Sequence, residues 1–322
     1  MVFMKMVALD EHAETLGGIS WEKMSGLGNL VLNERCTADE VDALISDADI
    51  IFTTKIPITS ENMQRAKNLK LIQAMATGYN IIDIDAAAKL GIAVCNVPSY
   101  STEPVAQHTF SLILELCNHV GGYSSDAKSG RWAKSPDFSY IDYPLTELYG
   151  KTIGIIGYGA IGRRVGEIAN AFGMRVLYTK RTKPDNEKNG ARYAELSELL
   201  AKSDIISLNC ALTADTNKLI NKTSISAMKK GAMVVNTARG GIVDETALAS
   251  ALNSGYLAGA AVDVLSTEPP QEDNPLLRAN NCIVTPHIAW ATLDSRRRLM
   301  DIATENVRAF IEGNPRNVVN GL

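Results

Sequence analysis

At 322 residues, with apolar residues near half and charged residues near a fifth, the chain has the size and composition of a globular protein of two ordinary domains. A formal charge of −4 gives no basic footprint for nucleic acid, and no run is long and apolar enough to span a membrane. The five cysteines, Cys36, Cys95, Cys117, Cys210 and Cys282, are scattered, form no C-x-x-C and are odd in number, which points to a reducing, cytoplasmic setting.

Residues 1 to about 100 alternate strand and helix signals. Val2–Leu9 reads as a first strand rather than a signal peptide, because Lys5 interrupts the apolar run. Leu30–Leu32, Ile50–Thr53, Leu69–Met75 and Ile92–Val94 read as further strands. Between them, Thr37-Ala-Asp-Glu40 has the form of a capping box, Ser60 is placed to cap a helix through Ala66, and Asp83 or Asp85 to cap one ending at Gly91. This alternation predicts a doubly wound parallel α/β domain.

Val97-Pro-Ser-Tyr-Ser-Thr-Glu-Pro104 is turn-rich and reads as a hinge. Val105–Val120 reads as one long helix, apolar on nearly all sides and therefore buried all round. Gly121–Tyr149 is polar, aromatic and proline-bearing, an irregular arm suited to packing on a partner subunit.

The second domain centres on Thr152–Ile156, an Ile-rich strand, followed by Gly157-Tyr-Gly-Ala-Ile-Gly162 and a helix carrying Ile161, Val165, Ile168 and Phe172 up to Gly173. A G-x-G-x-x-G between a strand and a helix fits a dinucleotide site. Gly157 permits the tight turn, Gly159 lets a pyrophosphate approach, and Gly162 lets the helix lie close. The helix N-terminus offers N–H groups to the phosphates. Strands follow near Met174–Tyr178, Ile205–Leu208, Met233–Asn236, Ala258–Val264 and Ile283–Thr285, six parallel strands in all, with helices near Ser224–Met228 and Glu245–Leu252. Asp294–Phe310 is an amphipathic helix placed to return to the first domain.

Four stretches at expected strand ends carry candidate chemistry, since ligands of doubly wound sheets gather there. Arg239, in Asn236-Thr-Ala-Arg-Gly-Gly, is either a turn arginine or a planar grip for a carboxylate. Glu268 precedes Pro269-Pro270, which predicts an extended backbone; alone it reads as a loop carboxylate. Asp263, at the end of a buried strand, needs a donor, which a nicotinamide carboxamide would supply. His287, in Thr285-Pro-His-Ile-Ala-Trp290, alone of the four histidines follows a strand and a proline, and suits proton transfer near neutrality. His108 and His119 fall on the long helix and read as structural. Thr77-Gly78-Tyr79, after a strand, presents amides to a small anion or is an ordinary turn.

Taken together and in this order, the glycine loop, Asn236-Thr-Ala-Arg-Gly-Gly, the Asp263–Pro269 stretch and Pro286-His-Ile-Ala-Trp resemble the D-isomer-specific 2-hydroxyacid dehydrogenases over essentially the whole chain. His-Ile-Ala-Trp and Lys55-Ile-Pro-Ile-Thr59 resemble the hydroxypyruvate and glyoxylate reductase (glycerate dehydrogenase) branch. The resemblance implies two doubly wound parallel-sheet α/β domains, a Rossmann cofactor domain (101–289) inserted in a flavodoxin-like substrate domain (1–100 plus 290–322). It implies catalytic roles for Arg239, Glu268 and His287, with Glu268 pairing the histidine as general acid/base. Ala76, Thr77, Gly78 and Tyr79 would hold the substrate carboxylate with Arg239, beside His287 and Trp290. Ala160 and Ile161 would contact the pyrophosphate; Cys210, Thr216, Thr237, Ala238, Asp263 and His287 would lie along the rest of the cofactor. No metal is implied. Such enzymes reduce a small 2-keto acid to the D-2-hydroxy acid, reversibly, and are dimers joined through the long helix and its arm.

One position departs from the family. Its NAD-using members place an acid at the end of the second strand, to bond the ribose hydroxyls. Here that position is Lys180, followed by Arg181 and Lys183, so NADP(H) is expected to be preferred over NAD(H). A dinucleotide-sensing corepressor on the same fold is the alternative from another class. Formate dehydrogenase shares the fold but pairs its histidine with Gln, against Glu268.

Overall fold

The computed structural model describes residues 4–16, 18–183 and 190–322. The chain divides into two compact units, Met1–Ser101 with Ala291–Leu322, and Thr102–Trp290. Ser101 therefore groups with the first unit and Trp290 with the second, each one residue away from the expected division.

In the first unit β1 (Lys5–Ala8), β2 (Asn29–Leu32), β3 (Ile50–Thr53), β4 (Leu71–Ala74) and β5 (Ala93–Cys95) form one sheet in the order β2-β1-β3-β4-β5, every pair parallel. This is the flavodoxin-like order. β3 and β4 are buried at every position, as a sheet covered on both faces requires. The Glu40 carboxylate accepts from the Thr37 amide at 2.8 Å, but the box opens a 3-10 turn before the helix Val41–Ile45. The next helix is capped by Thr59, not Ser60: Thr59 Oγ1 accepts from the Asn62 amide, and the Asn62 side chain reaches back to the Thr59 N–H. Asp83, rather than Asp85, caps Ile84–Lys89. The C-terminal helix Leu293–Ile311 is tied to this sheet by a buried amide network. Asn306 Nδ2 donates to Gln73 Oε1 on β4 at 3.0 Å and to the Asn96 carbonyl at 2.8 Å.

The second unit has seven parallel strands rather than six. β6 (Thr152–Ile156), β7 (Arg175–Thr179), β8 (Ala191–Tyr193), β9 (Ile205–Leu208), β10 (Met233–Asn236), β11 (Gly259–Val262) and β12 (Cys282–Val284) lie in the order β12-β11-β10-β9-β6-β7-β8. β8 escapes sequence reading because three residues are too few to show periodicity, and only Ala191 of them is buried. The order reverses between β6 and β9, which is where such a sheet opens a crevice.

The long helix runs from Thr102 to Asn118 and is not buried all round. Gln107, Ser111 and Asn118 form an exposed polar edge, while Phe110, Leu112, Ile113 and Leu116 are buried. His119 is not on it. It sits in the left-handed region (φ 50°), ends the helix and stacks on Tyr143 at 4.9 Å before a second helix, Val120–Lys128. The helix after the glycine turn, Ala160–Ala171, buries Gly162, Val165, Gly166 and Ala169. Of the expected stripe Val165 is fully buried and Ile161 and Ile168 pack partly buried against the same core, with the small residues Gly162, Gly166 and Ala169 letting the helix lie close to the sheet. Phe172 is exposed and stacks on Phe110.

Candidate active site

The register of the second sheet arranges the candidates before any side chain is considered. Thr179, Ile156, Leu208, Asn236, Val262 and Val284 are aligned across six neighbouring strands. The residues that follow them are Lys180, Gly157, Asn209, Thr237, Asp263 and Thr285. Parallel pairing alone therefore gathers segments more than a hundred residues apart along one carboxyl edge.

At the switch point, Gly157 has φ 93°, and a Cβ there would lie 2.5 Å from the Cys210 nitrogen. Only glycine permits both the turn and the neighbouring strand end. A Cβ on Gly162 would lie 2.1 Å from the Gly157 carbonyl oxygen, so this glycine seats the helix on the turn. At Gly159 the opposite holds: nothing stands within 4 Å of a Cβ, and the space in front of the helix is open. Among the described residues no side chain caps this helix at Gly159, which leaves the amides of Ala160, Ile161 and Gly162 to an external acceptor. Asn209, first past β9, keeps a buried Oδ1 with no partner among the described residues. An open glycine cradle, an uncapped helix and an orphan acceptor fit a dinucleotide. Farther along the edge, Thr216 Oγ1 donates to the Ala211 carbonyl at 2.7 Å, and Cys210 is half-buried, with burial pushing its thiol up.

Arg239 follows β10. The Asn236 side chain folds this turn, donating to the Arg239 carbonyl at 2.9 Å and accepting from the Ala238 amide at 3.0 Å. The guanidinium is half-buried and bonds the Ala238 carbonyl at 2.8 Å; it pairs with no carboxylate among the described residues. The next residue, Gly240, packs backbone to backbone on Leu265–Ser266, where a Cβ would come within 1.9 Å of the Leu265 carbonyl carbon. That contact joins the arginine turn to the segment bearing Glu268.

Glu268 is held at one oxygen by the Leu265 amide, 3.0 Å away, and at the other by His287 Nδ1, 2.6 Å away. The Glu268–Pro269 peptide bond is cis. With the carboxylate ionised, Nδ1 carries the proton and Nε2 is left for chemistry. Both side chains are about a quarter exposed, enough to meet a ligand. Trp290 folds over the same turn, its Nε1 donating to the His287 carbonyl at 3.0 Å.

Asp263 lies beneath. Its side chain is fully buried, and the expected need for an external donor is met inside the chain. Oδ1 accepts from Thr285 Oγ1 at 2.6 Å and the Ile288 amide at 2.9 Å, and Oδ2 from the Ala289 amide at 2.9 Å. His108 Nε2 stands 3.4 Å from Oδ1. Burial pushes this carboxyl up, but His108, Thr285 and the two amides outweigh it and hold it below the ordinary value. Thr237, also buried, meets Thr109 on the long helix at 2.9 Å.

In the first unit, the segment after β4 is pinned at Thr77, whose Oγ1 donates to the Val97 carbonyl at 2.8 Å and whose carbonyl accepts from Asn96 at 2.8 Å. The amides of Thr77, Gly78 and Tyr79 have no acceptor among the described residues. At the end of β7, Lys180 and Arg181 are exposed and pair with no carboxylate among the described residues; Lys183 lies 5.8 Å from the Tyr193 ring. Asn209 and Asp10 were not anticipated from sequence. Asp10, at the end of β1, accepts from the Thr54 and Lys55 amides and is buried enough that its carboxyl is pushed up. Among the described residues no cluster of three or more His, Cys, Asp or Glu is placed to hold a metal, and no helix is long and apolar enough to cross a membrane.

A carboxylate-paired imidazole on the carboxyl edge of a doubly wound sheet is suited to proton transfer beside a bound ligand. The "D-isomer specific 2-hydroxyacid dehydrogenase, NAD binding domain" family matches residues 110–289. The chain belongs to the D-isomer specific 2-hydroxyacid dehydrogenases, and works with a nicotinamide dinucleotide. It is similar to the hydroxypyruvate reductase of Blautia hydrogenotrophica, 45% identical over 98% of this chain and 100% of the relative. It is also similar to the glyoxylate reductase of Aeropyrum pernix, 40% identical over 85% of this chain and 83% of the relative. Among solved structures, Aquifex aeolicus D-lactate dehydrogenase with NAD and lactic acid has a TM-score of 0.87 at 32% identity, covering 99% of each chain.

Proposed function

We propose that the chain reduces a small 2-keto acid of the glyoxylate and hydroxypyruvate class to the D-2-hydroxy acid, and the reverse. The observation that carries this is the 2.6 Å pair of His287 Nδ1 with Glu268, on a turn packed through Gly240 against that of Arg239. The names of the relatives supply the substrate class. When bound, the nicotinamide supplies the hydride; the chain handles charge and proton. Arg239 offers a planar fork to the substrate carboxylate and polarises the keto group. His287 delivers a proton from Nε2 to the carbonyl oxygen, and Glu268 stabilises the imidazolium that precedes this step. For Ala76, Thr77, Gly78 and Tyr79 the proposed role is to lend free amides to an anionic group, and for Trp290 to border the substrate. Ala160, Ile161, Cys210, Thr216, Thr237 and Ala238 are proposed as cofactor contacts. Asp263 is proposed to act through the His287 turn, its carboxylate being engaged within the chain.

NADP(H) is the proposed preferred cofactor. Among the described residues Lys180 and Arg181 pair with no carboxylate, and the residue that follows β7 is the cation Lys180, which suits a 2′-phosphate. The reductases among the relatives favour catalysis over a dinucleotide-sensing regulator. A homodimer in the cytoplasm is also proposed, from the exposed Trp132, Phe138, Ile141 and Leu145 on the arm and from five free cysteines. Steady-state kinetics on a panel of 2-keto acids with both cofactors test the reading. Near-normal turnover in His287→Ala would overturn the acid assignment, and a strong NADH bias the cofactor preference.

A further inference from the structure

His108 stands outside the machinery described above, yet its contacts lead to it. The Thr285 hydroxyl has one hydrogen and gives it to Asp263 Oδ1 at 2.6 Å, since a carboxylate only accepts. The contact of His108 Nε2 with Thr285 Oγ1, at 3.1 Å, must then be donated by the imidazole. Asp263 in turn closes on three consecutive residues. Its carbonyl accepts from the His287 amide at 2.8 Å, and its carboxylate from the amides of Ile288 and Ala289. Successive amides opening around a left-handed residue form an anion nest, and His287 is that residue, with φ 53°. A non-glycine residue rarely adopts this region, and the amides on either side of it are held by Asp263.

We propose that His108 is a positioning residue for the reduction. By donating into Thr285 and Asp263 it fixes the carboxylate that shapes the 287–289 turn, and so sets the imidazole of His287 on Glu268. The proposal rests on His287 being the proton donor, and assigns His108 no contact with substrate.

His108→Leu removes the donor at similar bulk, His108→Gln keeps a terminal N–H, and Thr285→Val removes the relay by another route. In the full chain, His108→Leu and Thr285→Val are expected to lower kcat about tenfold or more. The NADPH dissociation constant, read by fluorescence, should stay within about twofold of wild type, and His108→Gln should recover most of the lost kcat. In a His287→Ala background, His108→Leu should cost nothing further, because both act through one group. Unchanged kcat in folded His108→Leu and Thr285→Val, glutamine as damaging as leucine, or additive losses in the double variant would each overturn the proposal. If His287→Ala alone keeps near-normal turnover, the functional reading fails instead, and the two failures are told apart.

Discussion

Alanine at Gly240 and alanine at Gly159 should damage the protein in opposite ways. Gly240 does not have a positive φ, so alanine is allowed by its backbone and the effect is steric alone. The new Cβ would stand 1.9 Å from the Leu265 carbonyl carbon, 2.1 Å from its oxygen and 2.3 Å from the Ser266 nitrogen. All three are main-chain atoms and none can rotate away. Restoring an ordinary contact of 3.4 Å means parting the two segments by about 1.5 Å, an overpacking that costs about 1–3 kcal/mol. One of these segments orients Arg239, and the other supplies the Leu265 amide that holds Glu268. A misplacement of about 1 Å at reacting groups costs about a hundredfold in rate, so kcat/KM should fall by about ten- to a hundredfold. Gly159→Ala meets nothing within 4 Å, so the urea midpoint should be unchanged while the dinucleotide Kd rises at least about tenfold. Urea unfolding, NADPH titration and steady-state kinetics on both variants are the assay. Wild-type rate and midpoint in Gly240→Ala would refute the claim that its backbone contact joins the arginine and glutamate turns.

Asp263→Asn should lower neutral-pH stability by about 2–4 kcal/mol, because an NH2 group would face donors that now meet a carboxylate. The native carboxyl is held below its ordinary value of 3.8, so its contribution is full above that pH and is lost as pH falls through the lower native value. Urea midpoints from pH 7 to pH 3 should thus fall more steeply for wild type than for the variant; parallel curves would count against it. Lys180→Asp should lower kcat/KM with NADPH by about ten- to a hundredfold and favour NADH, as loss of a charged hydrogen bond to phosphate requires; an unchanged cofactor ratio would dismiss the basic strand end as a determinant. Arg239→Lys keeps the charge but not the fork, so KM for the keto acid should rise about tenfold or more with dinucleotide Kd unchanged.

Most of the second sheet was legible because its strands are buried on both faces and read as short apolar runs. Ile205–Leu208 and Met233–Asn236 have the predicted bounds. Ligand-facing residues of such a sheet come directly after these runs, which is why Arg239, Asp263 and His287 stood out. The failures have physical causes too. β8 is too short to carry a pattern. The long helix looked apolar throughout because Gln107, Ser111 and Asn118, which mark its exposed edge, are outnumbered by Leu and Ile. The donors to Asp263 were invisible because they come from amides, a threonine and His108, and depend on a left-handed turn at a residue that is not glycine. Asn209 carried no motif, and nothing but the structure singles it out.

Two carboxylates, one exposed and one buried, show why location matters more than the size of a pKa shift. Exposed pairs such as Glu198 with Arg192 and Lys202 depress the carboxyl to about 2, but solvent screens them and they tie together only neighbouring surface elements. Asp263 has the smaller disturbance and the larger consequence. Its carboxylate is out of water, its four protein partners have no substitute there, and three of them belong to the segment 285–289. Losing them would release the left-handed His287 to a more favourable backbone region and carry its imidazole off Glu268. On the proposed role of His287, stability and proton transfer would then depend on the same few contacts. The residues touching Asp263 should be the ones where loss of activity and loss of folding cannot be separated by simple deletion, and are separated only by replacements that keep the hydrogen-bond donor.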